Sequence, residues 1–338
     1  MGTRVFLPTS RVHFGLGSLD KLEEEAKEAD RAFVVTGRSL FEETDLVRRI
    51  EEALGDKHAG TFSRMSEHTP GSAVEEAAEE AKGADLLVGV GGGSVMDGTK
   101  AVAVRLGYPD QVAVPTTLSG AEWAHLIGVT DEEAERKSGF ADEGAVPPVV
   151  ILDPEATVYT PEKLWLSTGI RALDHAVEGF LSPPEHPIED VLGLEGARRL
   201  MEYLPGSKQG LDDLDLRLTL QLAAWMAYFG PLNTPMGLSH ELGRRIGASY
   251  DVPHAYTSCM ILAPTLAVVG DRVREDRWAK LVDALGGEPA ERVATLVEEL
   301  ELPNRLRDTG IPEEDLDAIA EEFEDRADDA REILRRAW

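Results

Sequence analysis

The chain has one cysteine, Cys259, in 338 residues. An intrachain disulfide is therefore excluded, and so is a structural zinc site built on thiolates. Positive charge is also scarce: 34 Lys and Arg stand against 63 Asp and Glu, a formal net charge of −29. An acidic excess of this size disfavours nucleic acid and anionic membrane surfaces as partners. It suits a strongly soluble protein, and the favoured origin is adaptation to high salt, where screening relieves self-repulsion. No stretch approaches about 18 uninterrupted apolar residues, and the N-terminal MGTRVFLPTSRVHFG lacks the apolar centre of a signal peptide. A cytoplasmic location is expected. Internal repeats and low-complexity linkers are missing too, while a 42% hydrophobic content is enough for the cores of two domains.

What the chain does have is concentrated first in Gly91-Gly92-Gly93-Ser94-Val95-Met96-Asp97-Gly98-Thr99-Lys100. The preceding Asp85–Val90 (DLLVGV) is a short apolar run of the kind a buried parallel strand shows, and Val95, Ala101, Val102 and Leu106 are spaced for a helix. Three glycines between strand and helix let main-chain N–H groups approach an anion, and the helix adds its positive dipole end. A diphosphate is the expected guest, with Ser94 and Asp97 on the first turn beside it.

Around that loop, strands and helices alternate. Strands are expected within Val5–Gly15, at Arg31–Thr36, Ala59–Phe62, Gln111–Thr117 and Val149–Pro154. Helices are expected from Ser18 to Lys27, Glu42 to Leu54 and Ser72 to Ala81, the last opened by a capping box of Ser72 and Glu75. This order predicts a mostly parallel sheet covered on both faces, with ligands beyond the carboxyl ends of the strands. Thr116, Thr117 and Ser119 close one such strand and are candidates for the same ligand. The GxGxxG fingerprint of ordinary dinucleotide-binding domains is absent after Arg31–Thr36, where Gly37-Arg38-Ser39 stands instead. Beyond Pro154 the period becomes helical, so an α/β domain over 1–154 is expected to precede a helical domain over 155–338.

The helical half carries three notable histidines. His175 follows Arg171 by four residues, and His240 precedes Arg244 by four, so each pair shares a helix face. His254 follows Pro253, which suggests a helix start. Two chemistries are open to this group. Imidazoles can hold zinc or iron, which would polarise a substrate oxygen, although a neighbouring arginine opposes a dication. Without metal the same residues form a cationic pocket, in which arginines clamp carboxylates and a histidine donates a proton.

The stretches GGGSVMDGTK (91–100), VPTTLSGAE (114–122), VVILDP (149–154), RALDHAVE (171–178) and GLSHELGRRIGASYDVPHAYTSC (237–259) together resemble the group III, iron-containing alcohol dehydrogenases, and among them the maleylacetate reductase branch. The resemblance implies a dehydroquinate synthase-like architecture, a nicotinamide cofactor and at least a homodimer. In that family one Asp and three His hold the metal. His175, His240 and His254 match the histidines, whereas Arg171 stands at the Asp position and Arg244 at a further active-site histidine. Maleylacetate reductases share the departure at the Asp position, and they are regarded as able to work without metal.

Cofactor choice can be read from the same resemblance. Relatives that prefer NAD tend to carry an acidic residue where this chain has Gly37-Arg38-Ser39, so NADP is tolerated or favoured. Lys137 matches a lysine that reaches the cofactor. The expectation is an NAD(P)H-dependent reductase of an oxo or enol acid such as maleylacetate, with Arg171, His175, His240, Arg244 and His254 at the substrate. A metal-dependent alcohol or diol dehydrogenase, a non-redox lyase of the dehydroquinate synthase type and a non-catalytic nucleotide-binding protein are the alternatives.

Overall fold

A computed structural model describes residues 5–132, 136–250 and 252–338. The chain divides into two compact units. One comprises 4–160 with Asp212–Gln221, and the other Pro161–Leu211 with Leu222–Trp338.

The first unit is built on eight strands: β1 (Arg11–Phe14), β2 (Ala32–Thr36), β3 (His58–Phe62), β4 (Leu86–Gly91), β5 (Asp110–Pro115), β6 (Leu126–Asp131), β7 (Arg136–Ala141) and β8 (Val149–Leu152). Six of them form a parallel sheet in the order β1-β8-β5-β4-β2-β3. The strands β2, β4 and β8 are buried along their whole length, as expected where helices cover both faces. The chain leaves β2 outward to β3 but leaves β4 in the opposite direction to β5. Adjacent strands with diverging connections make a topological switch point, and their carboxyl ends frame a ligand crevice. Gly37-Arg38-Ser39 and the triple glycine therefore flank one crevice. Leu22, Leu46, Ile50, Val34, Val88 and Ile151 fill the core on one face of the sheet.

Several expected boundaries shift. The region 5–15 yields only the edge strand β1, Arg11–Phe14. The helix expected over Ser18–Lys27 is a 3-10 turn (Ser18–Asp20) followed by a short helix (Lys21–Glu25), with Gly17 in the capping position in place of Ser18. Residues 42–54 split into Arg38–Glu43 and Leu46–Leu54, since Thr44 turns extended and its hydroxyl takes the Leu40 carbonyl. The Ser72/Glu75 capping box is not formed. The helix starts at Gly71, and the Ser72 amide donates to Glu132 across the hairpin connection. The antiparallel pair β6–β7 is absent from the sequence expectation because neither LIGVTD nor RKSGFA alternates like a half-buried strand.

In the second unit the helix Glu162–Leu181 is central. Trp165, Leu166, Ile170, Leu173, Val177 and Phe180 are all buried, and so are residues around its whole circumference. The helices Leu238–Tyr250 and His254–Val269 pack beside it, and Leu242, Ile246, Met260 and Ile261 join Leu306, Ile319 and Ile333 in one core. The helical pattern thus holds from Pro161, although Asp212–Gln221 group with the sheet: the Arg217 guanidinium donates to the Thr157 carbonyl at 2.8 Å.

Candidate active site

The α/β unit brings the triple glycine and the loop after β5 together at a helix start, the cradle geometry. Gly91 ends β4 at φ 153°, a conformation that disfavours a side chain, and Gly92 caps the helix Gly93–Leu106. A Cβ on Gly92 would stand 3.1 Å from Thr117 Cγ2, and one on Gly93 3.2 Å from Ser119 Oγ. The glycines therefore bring the loop after β5 onto the start of a 14-residue helix, whose first N–H groups have no partner within the helix. Thr116, Thr117 and Ser119 gather there, with Thr117 Oγ1 and Ser119 Oγ 3.2 Å apart. This cradle fits a diphosphate.

Three polar residues of the motif serve the loop itself. Lys100 is buried, and its ammonium donates to the carbonyls of Ala121, Ala124 and Leu126 while pairing with Asp97 at 2.8 Å. Asp97 also accepts the Gly128 amide at 3.1 Å, and Ser94 Oγ accepts the His68 amide at 3.2 Å. Both side chains that were expected beside the ligand therefore also hold neighbouring backbone. Gly37 and Arg38 follow β2 as expected, with Ser39 in the first turn of the next helix. Lys137 lies in β7 opposite Thr130, and its side chain is outside the described residues.

The helical unit assembles a buried charged cluster. Glu178, on the Glu162–Leu181 helix, accepts the amides of Gly237 (3.1 Å), Ser239 (2.8 Å) and His240 (3.2 Å). Its carboxylate thereby caps the Leu238–Tyr250 helix, where the N–H groups and the dipole favour an anion. Glycine is required at 237, because a Cβ there would lie 2.6 Å from Glu178 Oε1. The same carboxylate takes His240 Nδ1 at 2.8 Å, and Asp174 Oδ2 lies 3.3 Å from that nitrogen. His240 is thus fixed through both its backbone and its ring, and its Nε2 is a buried nitrogen without a hydrogen-bond partner.

Asp174 is fully buried and accepts the hydroxyls of Ser258 (2.7 Å) and Ser239 (3.1 Å). Burial works to raise its pKa, but the charge and hydrogen bond of His240, with Arg171 and Ser258, hold it below the ordinary carboxylate range. Arg171 donates from Nη1 to Ser258 Oγ at 3.0 Å and lies 3.9 Å from Asp174. Only 14% of its side chain is exposed. Burial pushes the guanidinium pKa down, with Asp174 opposing that shift. His175 stacks on His240 with ring centres 4.7 Å apart and meets Tyr228 edge-on. Burial, reinforced by His240 and Arg171, holds its pKa well below 6.5, so it is neutral at pH 7.

Arg171, His175 and His240 come together as the sequence suggests. Arg244 is exposed, though its charge contributes to lowering the Arg171 pKa. His254 begins its helix after Pro253, and its ring packs against Gly247. Asp174, Glu178, Ser239 and Ser258 were not anticipated as functional. The signal available in the sequence was the i, i+4 spacing of Asp174 and Glu178 on the face that carries Arg171.

The comparisons place this site in a known family. The iron-containing alcohol dehydrogenase model matches residues 8–154, and the model for the C-terminal part of that family matches 165–330. The chain belongs to the iron-containing alcohol dehydrogenase family. It is an NAD(P)-dependent oxidoreductase on a dehydroquinate synthase-like fold. It is 33% identical over 319 residues to the maleylacetate reductase of Pseudomonas sp. strain P51, a match covering 93% of this chain and 88% of the relative. The crystal structure of maleylacetate reductase from Agrobacterium tumefaciens superimposes with a TM-score of 0.91 at 29% identity, covering 100% of this chain and 99% of the other. The enzyme of that name from Rhizobium sp. strain MTP-10005 gives 0.89 at 31%, covering 98% and 96%.

The family is named for iron, yet the residues here suit a divalent ion poorly. His175, His240 and His254 are the ligands expected if a metal is bound. Among the described residues the donor atoms that converge within 4.8 Å belong to Asp174, Glu178 and His240. Both Glu178 oxygens already accept N–H groups, Asp174 Oδ2 accepts two hydroxyls, and a guanidinium lies 3.9 Å from that carboxylate. Asp174 Oδ1 and His240 Nε2 are buried without a hydrogen-bond partner, but an ion bound there would face the like charge of Arg171.

Proposed function

We propose that the chain is a reductase of oxo or enol dicarboxylic acids such as maleylacetate, working with NAD(P)H and without a metal ion. The observation that carries this reading is the partly buried Arg171 guanidinium, held beside an imidazole that two carboxylates orient. A guanidinium recognises a carboxylate by paired N–H donors, and it is worth most where water is excluded. Formally the charges of Arg171 and Arg244 balance those of Asp174 and Glu178.

A bound nicotinamide supplies the hydride. Arg171, with Arg244 at the rim, would hold the substrate carboxylate and the negative charge that develops on the oxo or enol oxygen. His240 would donate the proton from Nε2, because Glu178 and Asp174 fix Nδ1–H and stabilise the imidazolium. His175, kept neutral by its surroundings, would orient the substrate through a ring N–H, with His254 at the same substrate. One hydride and one proton per turnover leave the reduced acid and NAD(P)+. At the cofactor end, the Arg38 side chain is 69% exposed, and its contact with Glu42 is 3.9 Å, which supports acceptance of a 2′-phosphate. Lys137 is kept as a cofactor contact on the family resemblance alone.

Steady-state kinetics with maleylacetate and either NADH or NADPH test the reading. Arg171→Ala should lower kcat/KM by about 100-fold or more, with the melting temperature nearly kept. An unchanged kcat/KM would remove the proposed role. Among the described residues no helix is long and apolar enough to cross a membrane. A cytoplasmic enzyme, a homodimer or larger assembly, and salt adaptation behind the net charge of −29 are part of the same proposal. Sedimentation analysis and melting curves at low and high salt address the last two.

A further inference from the structure

Ser258 lies on the His254–Val269 helix and is fully buried. Its hydroxyl does two things at once: it accepts an N–H from Arg171 at 3.0 Å and donates to Asp174 Oδ2 at 2.7 Å. A serine hydroxyl has one donor and two lone pairs, so the two bonds are compatible only in this direction. The result is a relay of guanidinium, hydroxyl and carboxylate, in which the direct distance between Arg171 and Asp174 is kept at 3.9 Å.

That spacing matters for the cation. An arginine and a carboxylate without an intervening group close into a bidentate pair, which uses two of the five guanidinium N–H groups and fixes the plane of the fork. The bond to Ser258 takes one N–H group and leaves the charge of Asp174 one hydroxyl away. We propose that Ser258 is a positioning residue: it spaces Arg171 from Asp174, so that the guanidinium keeps its orientation and its donors for the substrate carboxylate. This rests on the reading of Arg171 as the carboxylate-binding group.

Ser239 provides the contrast, because its hydroxyl also donates to Asp174 Oδ2, at 3.1 Å, but has no bond with Arg171. If the serines served only to satisfy Asp174, losing either hydroxyl would have the same consequence. If Ser258 spaces the arginine, losing it lets Arg171 collapse onto Asp174 and weakens carboxylate binding selectively.

The test compares the full-length wild type with Ser258→Ala, Ser258→Thr and Ser239→Ala, each checked by its melting curve. KM and kcat are measured for maleylacetate, and Kd for maleate, a dicarboxylate probe, is measured by calorimetry. For Ser258→Ala, KM and Kd should rise about tenfold or more while kcat at saturation changes less than about threefold. Ser258→Thr, which keeps the hydroxyl, should restore most of the affinity, and Ser239→Ala should leave Kd for maleate within about twofold of the wild type. Should Ser258→Ala fail to fold, Ser258→Cys, similar in size but a weak acceptor, carries the same expectation. An unchanged KM and Kd in Ser258→Ala, or an equal rise in Ser239→Ala, overturns the proposal. If the wild type does not reduce maleylacetate, the substrate reading fails and the maleate Kd alone decides the role of Ser258. A wild type that binds no maleate overturns that role as well.

Discussion

At the scale of single residues, the two units contain buried charge of two kinds. In the helical unit the buried Asp174 and Glu178 carboxylates have cations or N–H groups against them. Glu122 in the α/β unit differs in the outcome: it is 3% exposed, and burial outweighs its hydrogen bonds and the charge of Lys100 and pushes its pKa up to about 7. A carboxyl whose pKa is raised on folding stabilises the native state relative to the unfolded chain below about pH 4.5, and this contribution is lost as pH rises through about 7. Glu122→Gln, which removes the titration, should therefore gain stability over the wild type as pH rises from about 5 to about 8, by up to about 3 kcal/mol. Melting curves across that range check it, and a difference independent of pH would contradict the sign. The same scale shows where sequence reading stopped. Arg171, His175 and His240 could be picked out by residue type and spacing. Their partners could not, because Glu178 meets His240 across 62 positions and Ser258 meets Asp174 across 84. An acidic residue on a helix in a chain with 63 of them gives no sign of being buried.

At the scale of elements, the site depends on helices approaching more closely than side chains normally allow. Gly237 admits the Glu178 carboxylate to the start of the Leu238–Tyr250 helix, and Gly243 lets that helix approach Thr257, where a Cβ would stand 2.6 Å from Oγ1. Gly237→Ala places a methyl group 2.6 Å from Oε1 of a carboxylate whose two oxygens together accept three amides. Overpacking of this kind costs about 1–3 kcal/mol. A drop of several degrees in melting temperature is expected, together with a loss of turnover, because the His240 ring shares that carboxylate. Retention of both would show that the cap can shift freely. The strands of the sheet and the glycine loop were legible because apolar runs and consecutive glycines are local signals. The β6–β7 hairpin and the Gly71 helix start were not, since each is specified by partners in another segment: Ala141 pairs with Leu126, and Glu132 meets Ser72.

At the scale of the whole molecule, one scaffold supports two ways of activating a substrate, and the balance between them rests on few positions. The family assignment and the two-part architecture were visible in the sequence because five stretches retain their order over most of the chain. The mechanism is decided by the charge inventory around one helix. Arg171 brings positive charge to a site whose buried carboxylates are engaged by serine hydroxyls, backbone amides and an imidazole. In such a cluster a dication meets the like charge of Arg171, and on the proposed reading organic cations supply the field that polarises the substrate. The most direct test is turnover of maleylacetate before and after exhaustive chelation, with transition-metal content measured on the same samples. The account predicts metal well below one equivalent per chain and a kcat/KM unchanged by chelation. Activity that disappears with the chelator and returns on adding ferrous or zinc ion would contradict it.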